Sequence, residues 1–219
     1  MTVLNDVDLI KEIETDRDWR LKELNFFKNI PQIYSNSLFK KHEDAFWKFC
    51  IPIIYSHWEG FVISSLKLLV DYMNSQKLYY PQITEKIIIL SNKKRFEKIL
   101  DQGRSCNADE KIKFVNNLLM EDKTGLNIEH NCINANSNLN FERLKKMMNE
   151  FNIEMTQKLE KNEKEINEFV KNRNKIAHGE NSYIVDKNHV RDRLDCIEES
   201  MDELIIIIKD FVQNKKYLR

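Results

Sequence analysis

The chain of 219 residues carries 35 basic and 35 acidic side chains, so its net charge gives no sign of a polyanionic partner, although a local basic groove remains compatible with it. Hydrophobic residues make up 42% and charged residues 32%, a balance that predicts a packed core rather than a disordered chain. Only 4 glycines and 3 prolines interrupt the sequence, which favours long helices over a many-turned β architecture.

The N-terminal stretch is charged from Asp6 onward, which does not fit a signal peptide. No apolar run approaches the ~20 residues that a membrane span needs. The four cysteines are scattered and form no CxxC pair, and a chain of this size does not need disulfides to fold. We therefore expect a cytoplasmic, reduced protein that does not interact with a membrane.

Apolar periodicity predicts a first helix from about Asp6 to Phe27, which the stretch NIPQIYSNS ends. A second long helical region is predicted over residues 39–76, with Pro52 marking a kink or a boundary. The inward-facing positions of these helices are Leu9, Ile10, Ile13, Leu24 and Phe27 in the first, and Ile54, Trp58, Val62, Ser65, Leu69 and Met73 in the second.

The signals are weaker between residues 75 and 150. ITEKIIIL is either a short strand or a buried helical turn, while SNKKRFEKILDQ and DEKIKFVNNLLM have the pattern of short amphipathic helices. The asparagine-rich stretch TGLNIEHNCINANSNLN favours turns, and Asn138 is the candidate N-cap of the helix that follows it.

Two helices are predicted to close the chain. One runs from about Met155 to His178, and the other from a cap at Asp186 or Asn188 to about Phe211. The loop between them is short, so we expect them to pack antiparallel. The sum is an all-α bundle, a single domain over residues 1–219, with 75–150 as a less regular middle and 155–212 as the closing helix pair. The apolar stripe of the last helix is Val190, Leu194, Ile197, Met201, Leu204, Ile205, Ile208 and Phe211.

The stretch RNKIAHG places polar groups on an apolar helix face. Ile166, Phe169 and Val170 define that face, and Arg173 continues it three residues after Val170. Asn174 and His178 are four residues apart and therefore stack on its shoulder, and Gly179 is the expected residue just past the helix end.

Each of these residues has a chemical consequence. An unpaired guanidinium is costly to bury, so Arg173 needs an anion or several hydrogen-bond acceptors, and a phosphate suits its fork. A histidine changes charge near neutral pH, as a general acid or base must, and Asn174 can hold an imidazole or a phosphate oxygen without adding charge. Two plainer readings remain open: Arg173 pairs with a buried carboxylate, for which Glu59 is the candidate, and His178 only caps its helix.

The spacing Arg173-Asn174-xxx-His178 resembles the R-N-x-x-x-H signature of the HEPN ribonucleases. YSHWEGFV (55–62), INANSNLNFERLKKMM (133–148) and RNKIAHGE (173–180) resemble one branch of that superfamily, the MAE-type HEPN-like nucleases, from about residue 40 to the C-terminus. The resemblance implies a helical bundle that forms a homodimer, with a composite site between two motif-bearing helices.

The resemblance also implies metal-independent and cofactor-free cleavage of RNA, in which the ribose 2′-OH attacks the adjacent phosphate and leaves a 2′,3′-cyclic phosphate. Arg173 then stabilises the phosphorane charge, His178 transfers a proton and Asn174 orients. Such proteins resemble toxins or antiviral effectors that an antitoxin or regulatory protein restrains. Some carry a modified tyrosine two residues after the histidine, whereas this chain has Glu180 there and its nearest tyrosine is Tyr183. The alternative is a non-catalytic helical RNA-binding or scaffold module of a toxin–antitoxin or defence complex.

Other polar residues carry weaker signals. Glu59 is also the candidate supporting residue of the site, His57 fits a polar surface or core position better than a catalytic one, and Trp58 fits the core or a base-stacking platform. A zinc site from His130, Cys132 and either Cys106 or Cys196 matches no finger spacing, so we expect no metal. A cluster of basic residues either lines a path for RNA or forms a solvated helix face, and the acidic residues interspersed among them favour the helix face. The cluster consists of Lys93, Lys94, Arg95, Lys111, Lys113, Lys145 and Lys146.

Overall fold

Helices dominate the fold of the chain in a computed structural model, which describes residues 5–33, 37–101, 112, 116, 125–180 and 185–219. Those residues form no β-strand, and short 3₁₀ turns occur at Tyr80–Gln82 and His130–Cys132, so the all-α prediction is confirmed. The α-helices are α1 (Asp6–Ile33), α2 (Ser37–Ser75), α3 (Glu85–Ser91), α4 (Lys93–Asp101), α5 (Phe141–Glu150), α6 (Gln157–Lys161), α7 (Glu163–Ala177) and α8 (Lys187–Gln213).

The centre of the bundle is α2, which packs against α1, α7 and α8. All six of its predicted inward positions after Pro52 are buried, which confirms the periodicity. The helix continues through Pro52, so of the two alternatives predicted there, a kink or a boundary, the boundary is wrong. Pro52 lacks an N–H and cannot bond the carbonyl of Lys48, but burial of the apolar face on both sides keeps the segment helical.

The first and last helices follow their apolar stripes. α1 continues to Ile33, so the break predicted after Phe27 comes later than expected. α8 begins after Asp186, whose side chain accepts a hydrogen bond from the His189 N–H at 2.9 Å, which settles the cap between the two candidates. The stripe predicted for α8 is buried throughout. No helix in the described ranges has the length and apolarity to cross a lipid bilayer.

The motif-bearing segment is not one continuous helix from Met155, as predicted, but is divided at Asn162 into α6 and α7. The Asn162 side chain donates to Ser200 Oγ on α8 at 3.1 Å, a tertiary contact that periodicity does not reveal. Further along α7, Arg193 of α8 pairs with Glu165 and Glu168. The numbering of the partners runs in opposite directions, which confirms that α7 and α8 are antiparallel.

The middle of the chain contains short helices. ITEKIIIL forms α3, so the strand alternative is wrong, and SNKKRFEKILDQ forms α4 as predicted. The helix predicted over 109–120 falls almost entirely outside the described residues. The N-cap of α5 is Asn140 and not Asn138, because Asn140 Oδ1 accepts from the Arg143 N–H at 2.8 Å.

Candidate functional site

The histidine of the motif lies at the exposed end of α7. The end has Schellman geometry, since the Gly179 N–H donates to Ile176 O at 3.1 Å and the Glu180 N–H donates to Lys175 O at 3.0 Å. Gly179 has a φ of 75°, a conformation that disfavours any Cβ-bearing residue, and His178 is the cap residue before it. These bonds fix the direction in which the chain leaves the helix and place the His178 side chain on the surface.

The arginine of the motif lies over an aromatic ring of the central helix. Its Cζ is 4.1 Å from the ring centroid of Tyr55 on α2, within the range of a cation–π contact. Arg173 is half-buried and forms an ion pair with no carboxylate of the described residues. Its positive charge is therefore not neutralised by a protein partner there.

The ring under Arg173 is held rigidly. Tyr55 is buried, its hydroxyl accepts a hydrogen bond from the Leu139 N–H at 2.7 Å, and its ring centroid is 6.1 Å from that of Phe169 on α7. Burial raises the pKa of Tyr55 to about 12; the Leu139 N–H and Arg173 oppose this rise and Glu59 adds to it. The hydroxyl therefore stays neutral at physiological pH and serves as a fixed acceptor.

Asn174 continues a chain of hydrogen bonds that begins at Arg173. Arg173 Nη1 donates to Asn174 Oδ1 at 2.8 Å, and Asn174 Nδ2 donates to Asn138 Oδ1 at 3.2 Å. A guanidinium can only donate, so the orientation of both amides follows from the arginine. The motif helix is thereby connected to the loop before α5.

A groove of about 710 Å³ opens beside this chain of bonds. Asn174 and His178 line it, together with Lys171, Lys175 and the Asn138 loop, whereas Arg173 is not among the described residues of its wall. The structure thus brings two motif residues to one groove and holds the third directly behind them. Lys48 Nζ on α2 donates to Glu180 O at 2.9 Å, and this bond connects α2 to the chain just past His178.

Glu59, His57 and Trp58 follow Tyr55 on α2, but only Glu59 lies close enough to act on the Tyr55 hydroxyl. Glu59 is half-buried and acts on the Tyr55 hydroxyl, but it forms no ion pair with Arg173. His57 faces α1, where its ring lies 5.6 Å from that of Trp19 and its Nε2 is 3.4 Å from Glu23, so it is a buried polar residue away from the groove. Trp58 is fully buried in the core.

The remaining polar candidates do not assemble into a site. Among the described residues no three His, Cys, Asp or Glu side chains could hold a metal; His130 Nε2 instead lies 2.8 Å from Asp71, and Cys106 is outside those residues. The lysines of the candidate RNA path face acids: Lys93 pairs with Glu150, Lys94 with Glu129, and Lys145 with Glu160. Lys111 and Lys113 lie outside the described ranges, as does Tyr183.

Sequence reasoning missed Tyr55, Asn140 and Asn167 as parts of this site. Tyr55 opens the YSHWEGFV stretch, so it was visible only as a family-like residue. Asn140 lies in a segment rich in turn-favouring asparagines, whereas Asn167 lies inside α7 and carried no signal of its own. Their partners are distant in sequence, and periodicity carries no information about such pairs.

The family model described as RiboL-PSP-HEPN matches residues 15–210 of the 219. No curated protein and no solved structure matches the chain.

Proposed function

Because the chain belongs to the RiboL-PSP-HEPN family, we propose that it is a metal-independent endoribonuclease whose site contains Arg173, Asn174 and His178. The observation that carries the proposal is the half-buried guanidinium of Arg173, stacked on Tyr55 with no carboxylate partner among the described residues and bonded to an amide that lines a groove with His178. The family match places the chain among HEPN proteins. Its assignment to the MAE-type branch is part of the proposal and is supported by the three sequence stretches.

The charge of Arg173 suits a phosphate. Attack of a ribose 2′-OH on the adjacent phosphorus forms the P–O2′ bond and a dianionic phosphorane, and breaking the P–O5′ bond leaves a 2′,3′-cyclic phosphate and a 5′-OH. A guanidinium fixed beforehand stabilises the developing charge without reorganising. No metal is needed for this step, because the protein itself supplies the cation.

Proton transfer requires two groups. One must take the proton of the 2′-OH and another must give a proton to the departing 5′-oxygen. His178 is the only motif side chain suited to either role, and one protomer offers it once. We therefore propose a homodimer in which the second His178 completes the site.

The surface next to the motif supports pairing with a second copy. Phe49 is 64% exposed and Ile53 is 41% exposed on one face of α2. Their neighbour Lys48 contacts Glu180, so this apolar face borders the end of α7. Burying it against its own symmetry mate removes apolar area from water and brings the two motif helices together.

A second candidate function is favoured by the direction of Arg173. Its guanidinium turns to Tyr55 and Asn174 and does not line the groove of its own protomer. A non-catalytic RNA-binding or scaffold module of a toxin–antitoxin or defence complex does not need an arginine that faces the groove.

In the catalytic proposal, the protein acts as a toxin or defence effector in the cytoplasm, under the control of an antitoxin or regulatory partner.

The test is cleavage of single-stranded RNA in EDTA by the wild-type protein, Arg173→Ala and His178→Ala. We expect wild-type cleavage with 2′,3′-cyclic phosphate ends and a loss of about 100-fold or more in each variant. Intact RNA that is still bound equally by all three proteins would establish the scaffold function instead, and a requirement for added zinc or magnesium would refute the metal-independent mechanism.

A further inference from the structure

Four asparagines converge on the groove beside α7. Asn167 and Asn174 come from α7, and Asn138 and Asn140 come from the segment that leads into α5. An amide can usually donate or accept, so its presence alone does not determine which ligand atoms it selects. Here the structure fixes which end of each amide is available.

Two of the amides are oriented by the backbone of α5. Asn140 Oδ1 accepts from the Arg143 N–H at 2.8 Å, and Asn167 Oδ1 accepts from the Phe141 N–H at 2.9 Å. A backbone N–H can only donate, so each side chain must present its oxygen to the helix end. The NH₂ groups of Asn140 and Asn167 have no acceptor among the described residues.

The other pair is oriented by Arg173. The guanidinium donates to the side-chain oxygen of Asn174, and the NH₂ group of Asn174 donates to the side-chain oxygen of Asn138. The NH₂ group of Asn138 therefore has no acceptor in the described part of the chain. Three amide NH₂ groups therefore remain on residues that line one groove, and all of them are donors.

The charges of the groove disfavour a second phosphate. Glu142, Glu163 and Glu180 line it against Lys171 and Lys175. Carboxylates repel an anion but accept N–H groups, and the amide donors match neutral carbonyl oxygens. The complementary ligand is a neutral group that carries both an accepting oxygen and an N–H.

We propose that this groove is a nucleotide subsite that binds an unpaired keto base, uracil or guanine, next to the scissile linkage. The inference rests on the proposed function and names the substrate class, single-stranded RNA with a keto base at that position. A keto oxygen accepts from the amide NH₂ groups, and the adjacent imino N–H meets a carboxylate. Adenine and cytosine place an amino group where the keto bases have oxygen. That amino group is a donor and would face the donor NH₂ groups of the groove, so these two bases are disfavoured.

The test replaces donors without disturbing the helix. In Asn140→Asp and Asn167→Asp the side-chain oxygen that accepts from α5 is kept, since Asp caps helices as well as Asn, but the groove NH₂ becomes oxygen. Asn149→Asp is the matched control, because Asn149 lies on α5 outside the groove and accepts from Lys86 Nζ at 2.7 Å. It introduces the same charge near the other end of α5.

A mixed-sequence, single-stranded RNA is cleaved in EDTA, and both new ends at each cleavage site are mapped. The readout is the identity of the base next to each cleavage site. The wild-type protein and Asn149→Asp are expected to favour uracil or guanine about tenfold over adenine or cytosine, and the two groove variants to favour them less than about threefold. The ratio is informative because the added negative charge weakens binding of every RNA alike. Separate counts for uracil and guanine distinguish the two keto bases.

Binding of short oligoadenylates with and without one uridine or guanosine provides the second arm. The His178→Ala protein is used if the wild type cleaves, and the wild-type protein is used if it does not. Cleavage with the same keto preference in all four proteins overturns the subsite and leaves the nuclease proposal standing. Absence of cleavage refutes the nuclease proposal. In that case, keto-selective binding that Asn140→Asp and Asn167→Asp abolish still supports the subsite. Equal binding of all oligonucleotides overturns the subsite.

Discussion

The aromatic platform under Arg173 can be removed in two steps that separate stability from chemistry. Tyr55→Phe and Tyr55→Leu both delete the hydroxyl that accepts from the Leu139 N–H, but only the leucine variant also deletes the ring beneath the guanidinium. The phenylalanine variant is therefore the matched control. Any difference in cleavage between the two variants reports loss of the ring, either as the platform for Arg173 or as a packing element.

The contact geometry gives the magnitude. A half-buried guanidinium with its Cζ 4.1 Å from the ring centroid is in a cation–π contact worth about 1–2 kcal/mol. If that energy holds Arg173 in its productive position, Tyr55→Leu should cleave RNA about 5–30-fold more slowly than Tyr55→Phe. Both variants should lose about 1–3 kcal/mol of unfolding free energy, because the Leu139 N–H is left without its acceptor. The leucine variant should lose more, because it also removes a buried ring that packs against Phe169.

Single-turnover cleavage in EDTA measures the first quantity and urea unfolding measures the second. A double-mutant cycle completes the test: on an Arg173→Ala background, the leucine and phenylalanine variants should cleave at the same residual rate. Equal rates for the two variants in the presence of Arg173 would refute the positioning role of the ring. A difference that persists without Arg173 would assign the effect to packing instead.

Three further predictions concern the dimer, the helix end and pH. Phe49→Asp should give a monomer by light scattering with at least tenfold weaker cleavage, whereas Ile89→Asp, which charges another exposed apolar position, should leave both unchanged. Gly179→Ala should lower the unfolding free energy by about 1 kcal/mol because φ is 75° there, while Gly125→Ala, with only ordinary contact at its Cβ, should not. Burial lowers the pKa of His57 from 6.5, so the unfolded chain binds a proton first as the pH falls. Urea unfolding should therefore show stability that is full above about pH 6.5 and declines below it, and His57→Gln should flatten that decline.

The long helices could be predicted from the sequence because their signal is local. α2 and α8 repeat apolar residues at helical spacing over many turns, and burial of that face outweighs even the proline inside α2. The same reasoning placed the motif residues on one face of α7 and Gly179 just past its end.

Boundaries that depend on a tertiary partner could not be predicted. Asn138 and Asn140 are equivalent as sequence signals, and the cap falls to Asn140 because its oxygen reaches the Arg143 N–H. The division at Asn162 depends on Ser200 of another helix. In the same way, the platform under Arg173 depends on a hydrogen bond between Leu139 and Tyr55, which are 84 positions apart.

The hydrogen-bond chain also explains why an asparagine, and not an aspartate, suits position 174. An aspartate there would accept from Arg173 equally well, but it would neutralise the guanidinium that a phosphate needs and would have no N–H for Asn138. The amide instead accepts without charge and passes a donor onward to the groove. The positive charge of Arg173 and the donor character of the groove are thus consequences of the same neutral side chain, so we expect Asn174→Asp to impair catalysis and base preference together.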